Sequence, residues 1–303
     1  VSTIAVTGGT GFVGGHLLRV AVDAGHRVRA LTRRDQPPCP GIDWISGTLS
    51  EPENLELLTR GADSVIHIAG AIRAPDRDGF AAPNIAGTAN VIDAARQAGV
   101  RRFIHISSLA AREPDLSDYG WSKAESERVV QESALDWTII RPPAVYGPGD
   151  GETLDLFAMA AKGVVILPPE GRTSLIHVRD LCALMLATVE AEPAIGAIYE
   201  PDDGTPGGLS HVAFGQALGR AVGRDVRTLS MPAPLVRFGA RMDGLFRGEN
   251  AKLTPDRARY FCHPDWVVDP DRKPPATLWI PAIPHDRGLA DTARWYREQD
   301  WLK

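Results

Sequence analysis

Along the first half of the chain two textures of apolar positions alternate. Short, nearly continuous apolar runs occur at Thr3–Val6, Val28–Leu31, Ser64–Ile68, Phe103–Ile106 and Trp137–Arg141, with a weaker one at Trp44–Ser46. Between them the apolar residues recur at helical spacing. These stretches run from Phe12 to Ala24, stopped by Gly25; over Glu51–Arg60; from Asn84 to Ala98, closed by Gly99; and through Lys123–Ser133. Short apolar runs bounded by turn residues read as buried strands, and the periodic stretches as amphipathic helices. Strict alternation of the two requires crossover connections, hence an α/β fold with a parallel, doubly wound sheet.

After Pro142 the pattern changes. Pro- and Gly-rich segments at Pro142–Gly151, Pro168–Gly171, Pro201–Gly208 and Pro264–Pro284 separate helical stretches at Val178–Glu190, Leu209–Val222, Pro234–Phe246 and Leu289–Gln299. The expected organisation is a dinucleotide-binding Rossmann domain over residues 1–150, to which about 174–200 return. A smaller, mostly helical substrate domain spans 151–303 and packs over the carboxyl edge of the sheet, where open α/β sheets bind ligands.

Composition narrows the function classes. The net charge is −5 with basic residues dispersed, which argues against a nucleic-acid partner. No apolar run reaches the length that spans a bilayer, and Leu181–Val189 reads as a buried helix, so no membrane partner is expected. Cys39, Cys182 and Cys262 lie far apart and match neither a disulfide framework nor a metal-ligand spacing; no metal is expected. The chain shows no basic head with an apolar core behind it, so a cytoplasmic location is expected. The partner is then a small-molecule substrate, with a homodimer as the assembly open to it.

The first strand ends in Thr7-Gly8-Gly9-Thr10-Gly11-Phe12-Val13-Gly14. This segment holds both Gly-x-x-Gly-x-x-Gly and Gly-x-Gly-x-x-Gly. Glycines there permit a tight turn and let the backbone approach a pyrophosphate, which the N–H groups and dipole of the following helix would hold. A lone glycine pattern carries little weight; one between a strand and a helix in a βαβ unit has the context the motif requires. The second strand ends in Thr32-Arg33-Arg34. An acidic residue at that place would hold the ribose hydroxyls of NAD, whereas arginines suit the 2′-phosphate of NADP, with NAD as the alternative.

Tyr119-Gly120-Trp121-Ser122-Lys123 is a Tyr-x-x-x-Lys, which on a helix places both side chains on one face. An ammonium near the phenol would lower its pKa from about 10 and ready it to exchange a proton with a carbinol oxygen. Lys123 is also suited to hold the cofactor ribose. Such a pair occurs on many helices by chance, but here the strand Phe103–Ile106 ends in Ser107-Ser108, and a hydroxyl at that strand end can hydrogen-bond the reacting oxygen.

With these motifs in order the chain resembles the short-chain dehydrogenase/reductase family in its extended form, which includes the NAD-dependent epimerase/dehydratases. The matching pieces are Thr7–Gly14, Asp63–Gly70, Asn84 with Gly87-Thr88, Ser107-Ser108, Tyr119–Lys123, Arg141–Asp150, His177–Leu181 and the tail ending Trp295-Tyr296. The resemblance implies that Ser108, Tyr119 and Lys123 form the catalytic triad. It implies that Ala69, Gly70 and Ala71 pass along the cofactor's ribose and phosphates, that Thr48 and Leu49 stand by the adenine, and that Pro142, Ala144 and Val145 lie near the nicotinamide. Asn84 would be a helix-start residue that orders the active-site strand. Three departures stand out. Gly47-Thr48-Leu49 replaces the family's Gly-Asp, Tyr119 follows Ser108 by only 119 − 108 = 11 positions, and Leu278-Trp279-Ile280-Pro281 lacks the glycine that commonly follows the leucine. The first two weaken the expectation of a nucleotide-sugar substrate.

The leading expectation is an NAD(P)-dependent oxidoreductase that moves hydride between nicotinamide and a carbonyl or alcohol. The alternatives are a sugar-nucleotide epimerase/dehydratase and a non-catalytic NADPH-binding subunit or regulator, since Asp136–Pro142 is similar to the extended-family subunit associated with respiratory complex I. That branch tends to lose the tyrosine, which this chain keeps. Thr205–Gly219 holds no Lys or Arg, and Arg237, Arg241 and Arg247 are set among apolar residues, so no clear diphosphate clamp is visible and a small or hydrophobic substrate is expected. His67, His105 and His177 read as packed histidines satisfied by backbone, Asp180 as a cap or anchor of the helix from Val178, and Trp266, Trp279, Trp295 and Trp301 as core or interface residues.

Overall fold

The computed structural model describes residues 2–248 and 253–302. The chain forms two compact units. The first comprises residues 1–142, 181–200 and 274–279; the second comprises 143–180, 201–273 and 280–303.

The first unit is built on a seven-stranded, wholly parallel sheet. Its strands are β1 (Thr3–Thr7), β2 (Arg27–Thr32), β3 (Ile42–Ser46), β4 (Ser64–His67), β5 (Arg102–Ile106), β6 (Asp136–Ile140) and the strand Ala197–Tyr199. The order across the sheet is β3-β2-β1-β4-β5-β6 and then Ala197–Tyr199. The order reverses beside β1, between β2 and β4, which is the topological switch point where Rossmann sheets bind a dinucleotide. Ala5, Val65, Phe103 and Ile139 from the sheet are fully buried among Leu55, Leu58, Val91 and Ala95 of the helices. Burial on both faces explains why these strands read as continuous apolar runs rather than alternating ones.

Five helices connect β1 to β6: α1 (Phe12–Asp23), α2 (Pro52–Thr59), α3 (Arg77–Ala81), α4 (Gly87–Gln97) and α5 (Asp118–Gln131). The helix expected from Asn84 begins earlier. Asp76 caps α3 by accepting from the Gly79 N–H at 2.8 Å, and the π-helical turn Ala82–Ala86 joins α3 to α4. Pro83 sits inside that turn and has no N–H to give, and a widened turn accommodates the missing bond. α5 also starts earlier than its apolar pattern indicates. Ser117 caps it, accepting from the Gly120 N–H at 2.9 Å.

The second unit holds small sheets that the sequence pattern did not disclose, among them Val164–Leu167 paired with Arg227–Ser230 and Ala144–Tyr146 paired with Leu175–His177. The helices Leu154–Ala161, His211–Val222 and His285–Glu298 close over Tyr146, Phe157, Leu218 and Tyr296 to form its core. Trp266 stacks on Tyr260 with ring centroids 4.5 Å apart, and Trp295 meets Trp301 edge to face at 5.0 Å. Asp180 accepts from the N–H groups of Ala282 and Ile283 at 3.1 and 2.9 Å and so pins the tail segment, an anchoring partner not evident from the sequence.

Candidate active site

The glycine-rich turn is shaped by close backbone approach. Gly8 has φ +75°, and a Cβ there would lie 2.8 Å from the Ala69 nitrogen; a Cβ on Gly14 would lie 2.1 Å from the Gly8 carbonyl oxygen. Only glycine lets α1 start so close to β1. The N-cap of α1 is Gly11, which has no side chain to offer the first-turn N–H groups. Those donors, with the dipole end behind them, are the chemistry that a pyrophosphate requires. Thr10 and Gly11 are exposed and Phe12 and Val13 half-buried, so the turn is open to a ligand. The residues therefore fit a dinucleotide cofactor.

Arg33 and Arg34 follow β2 and are both exposed. The Thr32 hydroxyl donates to the Arg34 carbonyl at 2.7 Å and accepts from its N–H at 3.2 Å, which fixes the backbone there. Among the described residues neither guanidinium forms an ion pair. After β3, the Thr48 N–H donates to the Glu51 carboxylate at 2.7 Å and the Leu49 carbonyl accepts from Asn90 at 2.8 Å.

Asn84 is more than a helix residue. Its side-chain oxygen accepts from the Ala71 N–H at 2.6 Å, and its amide donates to the Ala71 carbonyl at 3.0 Å and to the Ser122 hydroxyl at 2.8 Å. Ser122 in turn donates to the Tyr119 carbonyl at 2.8 Å. One buried amide therefore ties the segment after β4 to the first turn of α5. A Cβ on Gly70 would lie 2.8 Å from the Asn84 oxygen, which is why glycine stands at that place.

Ser108 follows β5 and Tyr119 lies in the first turn of α5, within hydrogen-bonding reach of each other. Lys123, one turn further and buried, donates to the Ile106 carbonyl at 2.7 Å. Burial pushes the Tyr119 phenol above its ordinary pKa, and the hydrogen bond with Ser108 works against that rise. Burial pushes the Lys123 ammonium down to about 8, opposed by the charge of Glu127. The lowering of the phenol pKa by Lys123, expected from the spacing, is not what the structure gives: desolvation dominates at Tyr119, and the ammonium is held by a backbone carbonyl.

Beneath these residues lies a charge network that the sequence reading missed. Glu127, one turn beyond Lys123 on α5, takes three bonds from Arg141, the shortest at 2.6 Å, and accepts from the Ser107 hydroxyl. Arg141 also reaches Glu200 at 3.3 Å, as does Arg112. Glu127 and Glu200 are buried. The repeat Tyr119, Lys123, Glu127 along one helix face was the available signal.

His67 is satisfied by hydroxyls rather than backbone, whereas His105 meets a hydroxyl at one ring nitrogen only and its buried Nδ1 has no partner among the described residues. His67 contacts Thr7 at 2.7 Å and Thr88 at 3.0 Å; Thr88 donates to the Asn84 carbonyl at 2.6 Å, so the nitrogen facing Thr88 carries the proton. Burial, then the charge of Lys123, holds His67 down to about 3, so it is neutral. His105 contacts Ser126 at 3.0 Å. His177, in the second unit, accepts from the Arg179 N–H at 3.2 Å. The glycine turn, Ala69–Ala71, Ser108, Tyr119, Lys123 and Pro142 all belong to the first unit, at the carboxyl ends of β1, β4, β5 and β6; Ala144 and Val145 belong to the second, on the strand Ala144–Tyr146.

A parallel sheet with this strand order and a glycine turn at its switch point defines a Rossmann nucleotide-binding protein. Comparison with known proteins makes the class specific. Residues 4–200 match the NAD dependent epimerase/dehydratase family. The chain is 37% identical to the "Ceramide reductase" of Caulobacter vibrioides (strain NA1000 / CB15N), across 99% of this chain and 96% of that one. It is 28% identical to the "UDP-glucose 4-epimerase" of Vibrio cholerae, across 77% of this chain and 79% of that one. Among solved structures, "gox2253" superposes with a TM-score of 0.78 at 22% identity, over 100% of this chain and 99% of that one. The chain belongs to the NAD-dependent epimerase/dehydratase family, within the extended short-chain dehydrogenases/reductases, and is an NAD(P)-dependent enzyme, an oxidoreductase or epimerase.

Proposed function

We propose that the chain is a reductase or dehydrogenase acting on an apolar carbonyl or alcohol, with Ser108, Tyr119 and Lys123 as its working groups. The observation that carries this reading is the buried Lys123 ammonium, one helical turn from Tyr119 and held at 2.7 Å by the Ile106 carbonyl at the carboxyl end of β5, which Ser107-Ser108 follow. When bound, the nicotinamide supplies or takes up the hydride. Ser108 holds the substrate oxygen, and Tyr119 delivers a proton to it in reduction and removes one in oxidation. Lys123, held by the Ile106 carbonyl, supplies a donor for the cofactor ribose. The turn Gly8–Gly14 holds the pyrophosphate, Ala69, Gly70 and Ala71 pass along the ribose and phosphates, and Asn84 keeps that segment in register with α5. Pro142, Ala144 and Val145 flank the nicotinamide, and Thr48 and Leu49 the adenine.

NADP is the preferred cofactor in this reading. Arg33 and Arg34 are exposed and free of ion pairs among the described residues, as a pair reserved for a 2′-phosphate would be. NADPH is expected to bind at least about tenfold more tightly than NADH, the scale of one charged hydrogen bond. Replacing both arginines with alanine should remove that difference and leave NADH binding nearly unchanged, as read by cofactor fluorescence titration. Equal affinities in the native protein would sink the assignment.

The apolar substrate follows from the 37% likeness to a ceramide reductase across nearly the whole chain and from the short Ser108–Tyr119 link. The 28% likeness to an epimerase favours a second reading, a nucleotide-sugar epimerase. Competition binding with the cofactor site saturated separates the two. A long-chain ketone should bind and be turned over with oxidation of the reduced cofactor, and UDP-glucose should show no micromolar affinity. The reverse outcome would select the epimerase.

A further inference from the structure

The helix Ala233–Arg247 presents two different apolar faces. Its narrow inner face, Val236 and Ala240, packs against Ala258, with Met231, Leu253 and Cys262 around them. Its outer face carries the larger residues. Leu235, Phe238, Met242, Leu245 and Phe246 recur at i, i+3, i+7, i+10 and i+11, which is one stripe of a helix. Leu235 is 56% exposed, Phe238 62%, Leu245 78% and Phe246 82%. Two phenylalanines and two leucines left in water within one helix form a contiguous patch rather than the scattered apolar exposure of ordinary surfaces.

The exposed charged residues of this helix are all arginines. Arg237 and Arg241, one turn apart, are exposed along one edge of it. Arg247 ends the helix, and Asp243, its one acidic residue, is paired with Arg247 at 3.3 Å. The helix thus carries three arginines and one aspartate in a chain whose net charge is −5.

We infer that the outer face of Ala233–Arg247 docks on an anionic lipid surface. The helix lies in the interface, its phenylalanines and leucines enter the acyl boundary, and Arg237 and Arg241 reach the headgroup phosphates. Charge complementarity selects this occupant: exposed arginines flank exposed phenylalanines and leucines on one helix, as the headgroup phosphates of phosphatidylglycerol flank its acyl boundary. The absence of a spanning segment, which led the sequence reading to expect no membrane partner, does not bear on a helix that lies along the surface. The inference is independent of which carbonyl the enzyme reduces.

Cosedimentation of the full chain with vesicles tests it. Vesicles of phosphatidylglycerol and phosphatidylcholine should pellet the protein, pure phosphatidylcholine should do so at least about tenfold less well, and added salt should release it. The triple variant Phe238→Ser, Leu245→Ser, Phe246→Ser should lose at least about a hundredfold in vesicle affinity, since three large apolar side chains no longer enter the acyl boundary. The pair Arg237→Gln, Arg241→Gln should lose the preference for anionic vesicles and keep the weak binding to neutral ones. Turnover of a water-soluble ketone should be unchanged in both variants, which separates loss of docking from loss of fold or of catalysis. A native protein that ignores anionic vesicles, a triple variant that binds as the native chain does, or a concentration-dependent dimer abolished by the triple variant would each overturn the inference.

Discussion

Tyr119→Phe is expected to lower turnover at least about 100-fold with cofactor affinity nearly unchanged, the usual loss on removing a general acid–base group. The substitution deletes only the hydroxyl. The ring keeps its place against Phe80, whose centroid lies 6.0 Å away, and the Ser117 cap and the Ser122 bond to the Tyr119 carbonyl involve no atom of the phenol. Fold and cofactor site should therefore survive, and the lost rate should fall on kcat. Burial raises the phenol's pKa, so Tyr119 enters reduction protonated, and the phenolate left after it gives that proton to the substrate oxygen takes one back from solvent before the next turnover. Lys123→Ala should behave differently, weakening both cofactor binding and turnover. Steady-state kinetics with a ketone and the reduced cofactor, beside a cofactor titration, resolve the two patterns. Native turnover in Tyr119→Phe would remove the phenol from the mechanism.

The parts of the fold that were legible in the sequence are those where one local rule decides the outcome. Strand β1, the glycine turn and α1 could be placed because full burial leaves a continuous apolar run and because a Cβ at Gly8 or Gly14 would collide with backbone. The start of α3 could not, because its signal is a single aspartate cap followed by Pro83, and a proline inside a helical stretch normally argues for an end. α5 was read as starting late for a related reason. Its first turn, Asp118-Tyr119-Gly120-Trp121, spends its residues on the site rather than on an apolar stripe, and a Cβ on Gly120 would meet the Ala110 carbonyl at 2.8 Å. The short strands of the second unit escaped notice because pieces such as Arg172–Thr173 and Leu209–Ser210 are held by tertiary pairing and are too short to show a period.

The candidate site divides in the same way. Residues carrying reactive groups at fixed spacing, Ser108, Tyr119 and Lys123, were visible as a pattern. The groups that hold them were not, because their role depends on partners far away in sequence. The resemblance implies that Asn84 orders the active-site strand, but the partners through which its amide does so, Ala71 and Ser122, emerge only in the fold. Ser107 reads as a turn residue beside Ser108, yet the two hydroxyls serve different neighbours: Ser107 donates to Glu127, and Ser108 stands by Tyr119.

Glu127→Ala is expected to destabilise the protein by about 3–5 kcal/mol, the usual cost of removing one partner from a buried ion pair. Glu127 is buried and accepts from Arg141 and Ser107 together, so its loss strands a hydroxyl and leaves the Arg141 guanidinium with only its longer bond to Glu200, in a site that water does not reach freely. Glu200 compensates only in part, because it is shared between Arg141 and Arg112 at 3.3 Å each. The same substitution takes away the charge that holds the Lys123 pKa up against burial. The ammonium should then lose its proton at a pH below about 8, and the alkaline limb of the activity profile should move to lower pH. A merely structural carboxylate would not shift that limb. Urea denaturation gives the stability, and the pH dependence of kcat/KM on the remaining folded enzyme gives the second readout. Replacing Glu127 and Arg141 together with apolar residues of similar volume should recover part of the lost stability, because the remaining buried carboxylate, Glu200, keeps Arg112 at 3.3 Å, while the alkaline limb stays displaced. A loss below about 1 kcal/mol in Glu127→Ala, the range of an exposed ion pair, would mean that water reaches Arg141 and that the network does not support the site.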